Sequence, residues 1–295
     1  MKIAVAGPTG YASFKIRAAM LAKANGWDLL DCRERPANRY DVIWLMKRQL
    51  RQKPADLLPI REACDRLIVD PIDWVASPSR IVDVPAFWRD LAAALGNDDW
   101  IATSPACART MADSGPRVHM LPHQSDHRID ATWHNPAGPV VYCGLKTFVQ
   151  SACEPIIEAC RLIGRNHTFN FSGYDSWKSL HGAALQICFR MPPHDGPFER
   201  NCRSQIKLAN SAAAGIPAIC CGTEAESSLW PWCGRLGASE VFNVDTLSTV
   251  FEECFGNPIR PAYTLADFAA DARRVVESDQ SITAAAWGVA GAGAA

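Results

Sequence analysis

The sequence predicts an α/β protein built from two Rossmann-like domains facing one cleft. Three observations carry that prediction. A strand (residues 2–6), a glycine turn (Gly7-Pro-Thr-Gly10) and a helix stopping at Gly26 open the chain, the first unit of a doubly wound sheet. The same order returns near the midpoint, as Pro139-Val-Val-Tyr-Cys143, Gly144 and a helix predicted from Thr147 to Ile163. The chain has 295 residues, 48% of them hydrophobic, which suffices for two cores.

The elements follow in order. Ser13 is placed to cap the first helix, and Asp31 closes the second strand. Residues 41–46 and 66–70 read as buried strands. The second runs into Asp70-Pro-Ile-Asp73, two carboxylates just past a parallel strand, where open α/β sheets put their chemistry. Asp73 and Asp70 are therefore acid/base candidates, although Asp also caps turns in loops. A helix over 85–95, a strand over 100–103, a helix after Ser104 and a strand over 117–121 complete six strands, and Pro122-His-Gln-Ser-Asp126 closes this half. His119, His123 and His127 are spaced by four, but Pro122 and the strand-like alternation exclude a common helical face. No metal centre is expected, and His123 is kept as a substrate contact at the domain mouth.

Asn135-Pro136 and Gly138-Pro139 mark a linker over 128–138 between domains 1–127 and 139–286, with a Gly/Ala tail over 287–295. Strands are predicted over 168–171 and 184–189. Tyr174 and Lys178 between them have the spacing of a short-chain dehydrogenase pair, without its serine. A loop over 190–203, rich in Pro and Arg, is suited to lie over a nucleotide, with Arg190 or Arg203 countering phosphate. It leads into a helix over 204–214, stopped by Gly215, and a strand over 218–221. Lys207, Asn210 and Ser211 share one face near the start of that helix, where N–H groups and a cation can receive phosphate. A plain amphipathic helix with a solvated Lys207 is the bland alternative. Glu224 follows the strand, a helix capped by Asp245 runs to Cys254, and a last helix is predicted over 265–286.

Composition narrows the function. A formal charge of −1 gives no general pull on polyanions. Locally, Arg33, Arg35, Arg39, Lys47, Arg48, Arg51 and Lys53 stand against only Glu34 and Asp41, a patch that could steer DNA, a small acceptor or a lipid-linked phosphate. Twelve cysteines without a Cys-x-x-Cys pair read as buried thiols, including adjacent Cys220 and Cys221. The opening strand leaves no room for a signal peptide and no apolar run reaches the ~20 residues of a membrane span, so a cytoplasmic location is expected.

Several motifs resemble those of GT-B glycosyltransferases. The stretch from Lys207 to Ile219 is similar to their donor-site helix, residues 41–47 to their strand ending in Lys, Ala12-Ser-Phe-Lys-Ile-Arg17 to the helix start after their first strand, and Gly144-Leu-Lys146 to the turn opening their second domain. The resemblance implies transfer of a sugar from a nucleotide-sugar donor to a hydroxyl acceptor, with a hydroxylated DNA base as one candidate. It places the donor at Gly144, Lys146, Arg190, Arg203, Lys207, Asn210, Ser211 and Glu224. The acceptor side would be Gly10, Tyr11, Ser13, Lys15, Arg17, Lys47, Arg48 and Arg51. It also implies a last helix that returns to the first domain. No Asp-x-Asp run has strand context, so a metal-free reaction is expected, with the nucleotide sugar as co-substrate and no tightly bound cofactor. Of the Glu-x7-Glu pair of retaining members only Glu199 is present. Two rivals stand beside this: an NAD(P)-dependent oxidoreductase or sugar epimerase, resting on Gly7, Gly10 and Asp31 but lacking the third glycine, and a non-catalytic binding protein.

Overall fold

The computed structural model describes residues 1–9, 14–46, 54–72, 81–171, 173–221, 234–255, 257, 263–278 and 282–283. Among these, two parallel sheets form. The first comprises β1 (Ile3–Gly7), β2 (Asp28–Asp31), β3 (Tyr40–Met46), β4 (Cys64–Asp70), β5 (Asp99–Ala102) and β6 (Arg117–Met120), in the order β2-β1-β3-β4-β5-β6. The second comprises β7 (Val140–Cys143), β8 (His167–Asn170), β9 (Leu185–Cys188), β10 (Ala218–Cys221) and β11 (Gly234–Leu236), in the order β11-β10-β9-β7-β8. Both orders reverse direction beside their first strand, between β1 and β3 and between β7 and β9. Such switch points open a crevice at the carboxyl ends of the strands.

Helices cover both faces, which is why the central strands are apolar almost throughout. They are α1 (Met20–Asn25), α2 (Leu58–Glu62), α3 (Val84–Leu95), α4 (Pro105–Met111), α5 (Cys153–Leu162), α6 (Pro197–Cys202), α7 (Ile206–Ala214), α8 (Val244–Cys254) and α9 (Leu265–Glu277). A π-helical turn over Phe14–Ala19 leads into α1. The helix expected after Ser104 is α4, and Ser104 caps it, accepting from the Cys107 N–H at 3.1 Å. On one face of the first sheet, Phe268, Ala272 and Val275 of α9 pack with Val5, Trp44 and Ile68. On the other, Phe198 and Cys202 of α6 join Trp88 and Trp100. Two helices that follow β7 in the chain thus bury their apolar sides on the first sheet.

Four expectations are corrected. The helix predicted from Thr147 starts only at Cys153, after two tight turns over 146–148 and 150–152. Residues 197–202, read as loop, are helical: Pro197 at the first turn suits a helix start, and burial of Phe198 holds the short segment. Asn243 rather than Asp245 caps α8, its side chain accepting from the Thr246 N–H at 3.1 Å. The last helix stops at Glu277 instead of running to 286. Beyond it, the Ile282 carbonyl accepts from the Met120 N–H at 2.8 Å, which gives an edge group of β6 a partner. Among the described residues no helix is long and apolar enough to cross a membrane.

Candidate functional site

The two switch points differ in what fills them. Gly7 ends β1, and a Cβ there would lie 2.5 Å from the Phe14 ring and 2.6 Å from the Met46 carbonyl. An aromatic ring packs into that crevice, so only glycine fits. Gly144 follows β7 with φ 151°, and a Cβ there would lie 2.8 Å from Lys207 Nζ. A cation occupies this second crevice.

Lys207 reaches it because α7 begins at Ile206, which puts the lysine in the first turn; Gln205 provides no side-chain cap, so the positive end of the helix dipole is left to other partners. The ammonium lies 4.1 Å from the centroid of the Tyr142 ring, a cation–π contact. Arg190 enters from the end of β9, its guanidinium 4.2 Å from the Phe148 ring centroid, and a 2.7 Å bond from the Met191 N–H to the Phe148 carbonyl pins its loop. Arg203 is buried, with Nη2 donating to the Cys188 carbonyl at 3.4 Å. Burial pushes the Tyr142 hydroxyl well above its usual value, while Arg203 and Arg190 pull it down. The Cys143 thiol is pushed up to about 11 by burial, against the pull of Lys207. Three cations from separate stretches therefore converge where β7 and β9 end.

The other predicted donor residues are distributed differently. Lys146 is exposed on the turn after Gly144. Ser211 does not face the crevice: it is fully buried and donates to Gln186 Oε1 of β9. Asn210 is also diverted, its Oδ1 accepting from the Asp126 N–H at 2.9 Å and so joining α7 to the segment after β6. Three- and four-residue spacing put these side chains near one another, but the 100° advance per residue aims each at a different neighbour. Tyr142 and Phe148, the rings under the cations, were not singled out from the sequence. Tyr142 reads there as core, and its signal is its place two residues before Gly144.

On the first sheet, Arg17 and Asp70 meet. Arg17 Nε donates to Asp70 Oδ2 at 2.8 Å with both side chains fully buried, and Arg17 Nη1 donates to the Pro122 carbonyl at 2.9 Å and to Gln124 Oε1 at 3.1 Å. Phe268 covers the guanidinium, its centroid 3.9 Å from Cζ. Burial pushes the Asp70 carboxyl up while Arg17 pulls it down. Arg17, expected on the acceptor side, and Asp70, expected as a base, are thus engaged with each other beyond reach of solvent, whereas a base must reach its proton. Lys15 is exposed. His123 is buried, its Nδ1 2.9 Å from the Gln124 carbonyl. Gly10, Tyr11, Ser13, Lys47, Arg48, Arg51, Asp73 and Glu224 lie outside the described residues, as does the Tyr174 side chain.

Asp31, the ribose acid of the oxidoreductase reading, receives hydrogen bonds from Arg33 and, at 2.9 Å, from Thr9 Oγ1. Arg33 is foremost in holding its carboxyl well below the usual range. The basic patch is partly neutralised as well: Arg35 pairs with Glu62 at 3.7 Å, and Arg39 donates to the Glu62 carbonyl at 3.0 Å and pairs with Asp65 at 2.5 Å. His119 belongs to a buried structural cluster in which Asp99 accepts from its Nε2 at 2.9 Å and from Arg66 Nε at 2.6 Å. Among the described residues no group of three His, Cys, Asp or Glu could hold a metal ion.

Comparison with protein-family models and with curated proteins finds no match. Among solved structures, the N-terminal domain of trehalose-6-phosphate phosphatase from Candida albicans is similar with a TM-score of 0.51 and 9% identity, over 94% of this chain and 96% of that one. AviGT4, a glycosyltransferase involved in avilamycin A biosynthesis, gives 0.49 and 11% over 94% and 98%. An α1,3-fucosyltransferase with GDP gives 0.49 and 8% over 95% and 92%. The first of these carries the comparison, and at such identity it speaks to architecture alone. Together with the two reversed strand orders, it makes the chain a GT-B-like fold of two Rossmann-like halves.

Proposed function

We propose that the chain is a glycosyltransferase that binds a nucleotide-sugar donor at the end of the second sheet. The observation that carries this is the convergence of Lys207, Arg190 and Arg203 around Tyr142 and Gly144 at the switch point between β7 and β9. Positive groups fixed in a partly buried crevice suit a departing diphosphate, whose charge grows as the sugar bond breaks. The first switch point offers an aromatic ring instead, and Asp31 is engaged by Arg33, so the same geometry speaks against a nicotinamide dinucleotide there. With Asp70 given to Arg17, the proton acceptor assigned is Asp73, on its place after β4 in the sequence. A small hydroxyl acceptor is favoured over DNA, because Arg33, Arg35 and Arg39 already have acidic partners.

Calorimetry with UDP, GDP and their sugars tests the reading. Lys207→Ala is expected to weaken binding by ~1.5–3 kcal/mol, the worth of a charge-assisted hydrogen bond, with the fold intact by circular dichroism. Unchanged affinity would remove Lys207 from the site.

A further inference from the structure

We infer that Cys107 and Cys202 form a redox-responsive pair whose oxidation joins the two halves of the fold by a disulfide. Both are free thiols and both are buried, Cys107 on α4 of the first half and Cys202 at the end of α6. Both belong to one buried cluster, in which Phe198 and Cys202 of α6 pack with Cys107 of α4 and with Trp88 and Trp100. Thr110 fixes the arrangement: its Oγ1 lies 3.4 Å from Cys202 Sγ, donates to the Cys107 carbonyl at 2.7 Å and accepts from Trp88 Nε1 at 3.1 Å.

The position gives the bond its consequence. α6 is part of the chain between Arg190 and α7, and its apolar hold on the first half is Phe198, whose ring centroid lies 5.5 Å from that of Trp88 and 5.7 Å from that of Phe87. Arg203 comes directly after Cys202 and reaches the end of β9. A bond between Cys202 and α4 would convert this docked helix into a covalent tether beside the three cations.

While α6 is docked the pair is protected, because the neighbouring Cys202 thiol and burial together hold the Cys107 thiol well above its ordinary value. Local release of the six-residue α6 exposes Cys202. Its thiolate then attacks one sulfur of a small disulfide such as oxidised glutathione; a mixed disulfide forms and one glutathione thiolate leaves. On re-docking, Cys107 loses its proton and attacks Cys202 Sγ, expelling the second glutathione thiolate. Two protein thiols are oxidised, one small disulfide is reduced, and the two protons end on the glutathione.

The test uses the whole chain, incubated with oxidised glutathione, blocked with N-ethylmaleimide, digested and read by mass spectrometry. The expected product is a peptide pair linked through Cys107 and Cys202, reversed by dithiothreitol and absent from Cys202→Ser. Amide exchange over residues 197–202 should slow roughly ten-fold or more in the oxidised protein, since release of the helix is then blocked. Recovery of both cysteines as maleimide adducts, or of either only as a glutathione adduct or linked to another cysteine, would overturn the proposal. The wild-type measurement decides the matter even if the serine variant does not fold.

Discussion

At the scale of single residues, the buried charges decide most. Asp99 is fully buried and accepts from Arg66, Arg117 and His119. Burial alone would raise its carboxyl, but the hydrogen bonds from His119 and Arg66 outweigh it and hold the value at about 2, against an ordinary 3.8. A folded value below the unfolded one means that the carboxylate stabilises above the unfolded value and loses that contribution as pH falls through the folded one. Asp99→Asn should therefore cost about 3–5 kcal/mol at neutral pH, because it leaves the largely buried Arg66 guanidinium without its carboxylate. In urea melts the gap to wild type should close between pH 3.8 and about 2. A gap that stays constant over that window would show that packing, not ionisation, is what the variant loses. Asp99 was not singled out in the sequence, where the strand was read from Trp100, since its partners come from β4 and β6.

At the scale of elements, α6 shows how tertiary burial overrides weak local preference. Six residues are too few for a helix stable by itself, and Gly196-Pro197 is its only sequence signal. What holds it is Phe198 packed against both Phe87 and Trp88, whose own rings touch. Phe198→Ala is expected to cost about 3–5 kcal/mol, the usual loss for a buried ring. Because Arg203 follows this helix, the variant should also weaken UDP or GDP binding; thermal melts and calorimetry on one preparation read both effects. A stability loss with unchanged nucleotide affinity would separate α6 from the site. By contrast, the capping box at α9 was open to sequence reading: the Thr264 side chain accepts from the Asp267 N–H, and Asp267 accepts from the Thr264 N–H.

At the scale of the whole molecule, charge must be counted in space. Seven basic residues between Arg33 and Lys53 look unopposed along the chain, yet Glu62 and Asp65 come back to Arg35 and Arg39. If only Lys47, Arg48, Arg51 and Lys53 are available to a duplex, log K should fall with log salt at a slope of about −3.6, against about −6.3 for all seven. Fluorescence anisotropy of labelled duplex DNA across a salt series distinguishes the two. The steeper slope would mean that the surface pairs give way to phosphate and would restore DNA as an acceptor.

The sequence by itself determined the two repeats of strand, glycine turn and helix, the central buried strands and the glycines where the switch points form, because these follow from local periodicity and backbone freedom. It also marked Lys207, Arg190 and Arg203, whose chemistry is carried by residue type. Only the tertiary structure decided what each side chain meets. Arg17 was committed to Asp70, Ser211 to Gln186 and Asn210 to the Asp126 amide, while Phe14 filled one crevice and Lys207 the other. A side chain's partner is set by elements far away in the chain, and a buried polar group must find one wherever the packing places it.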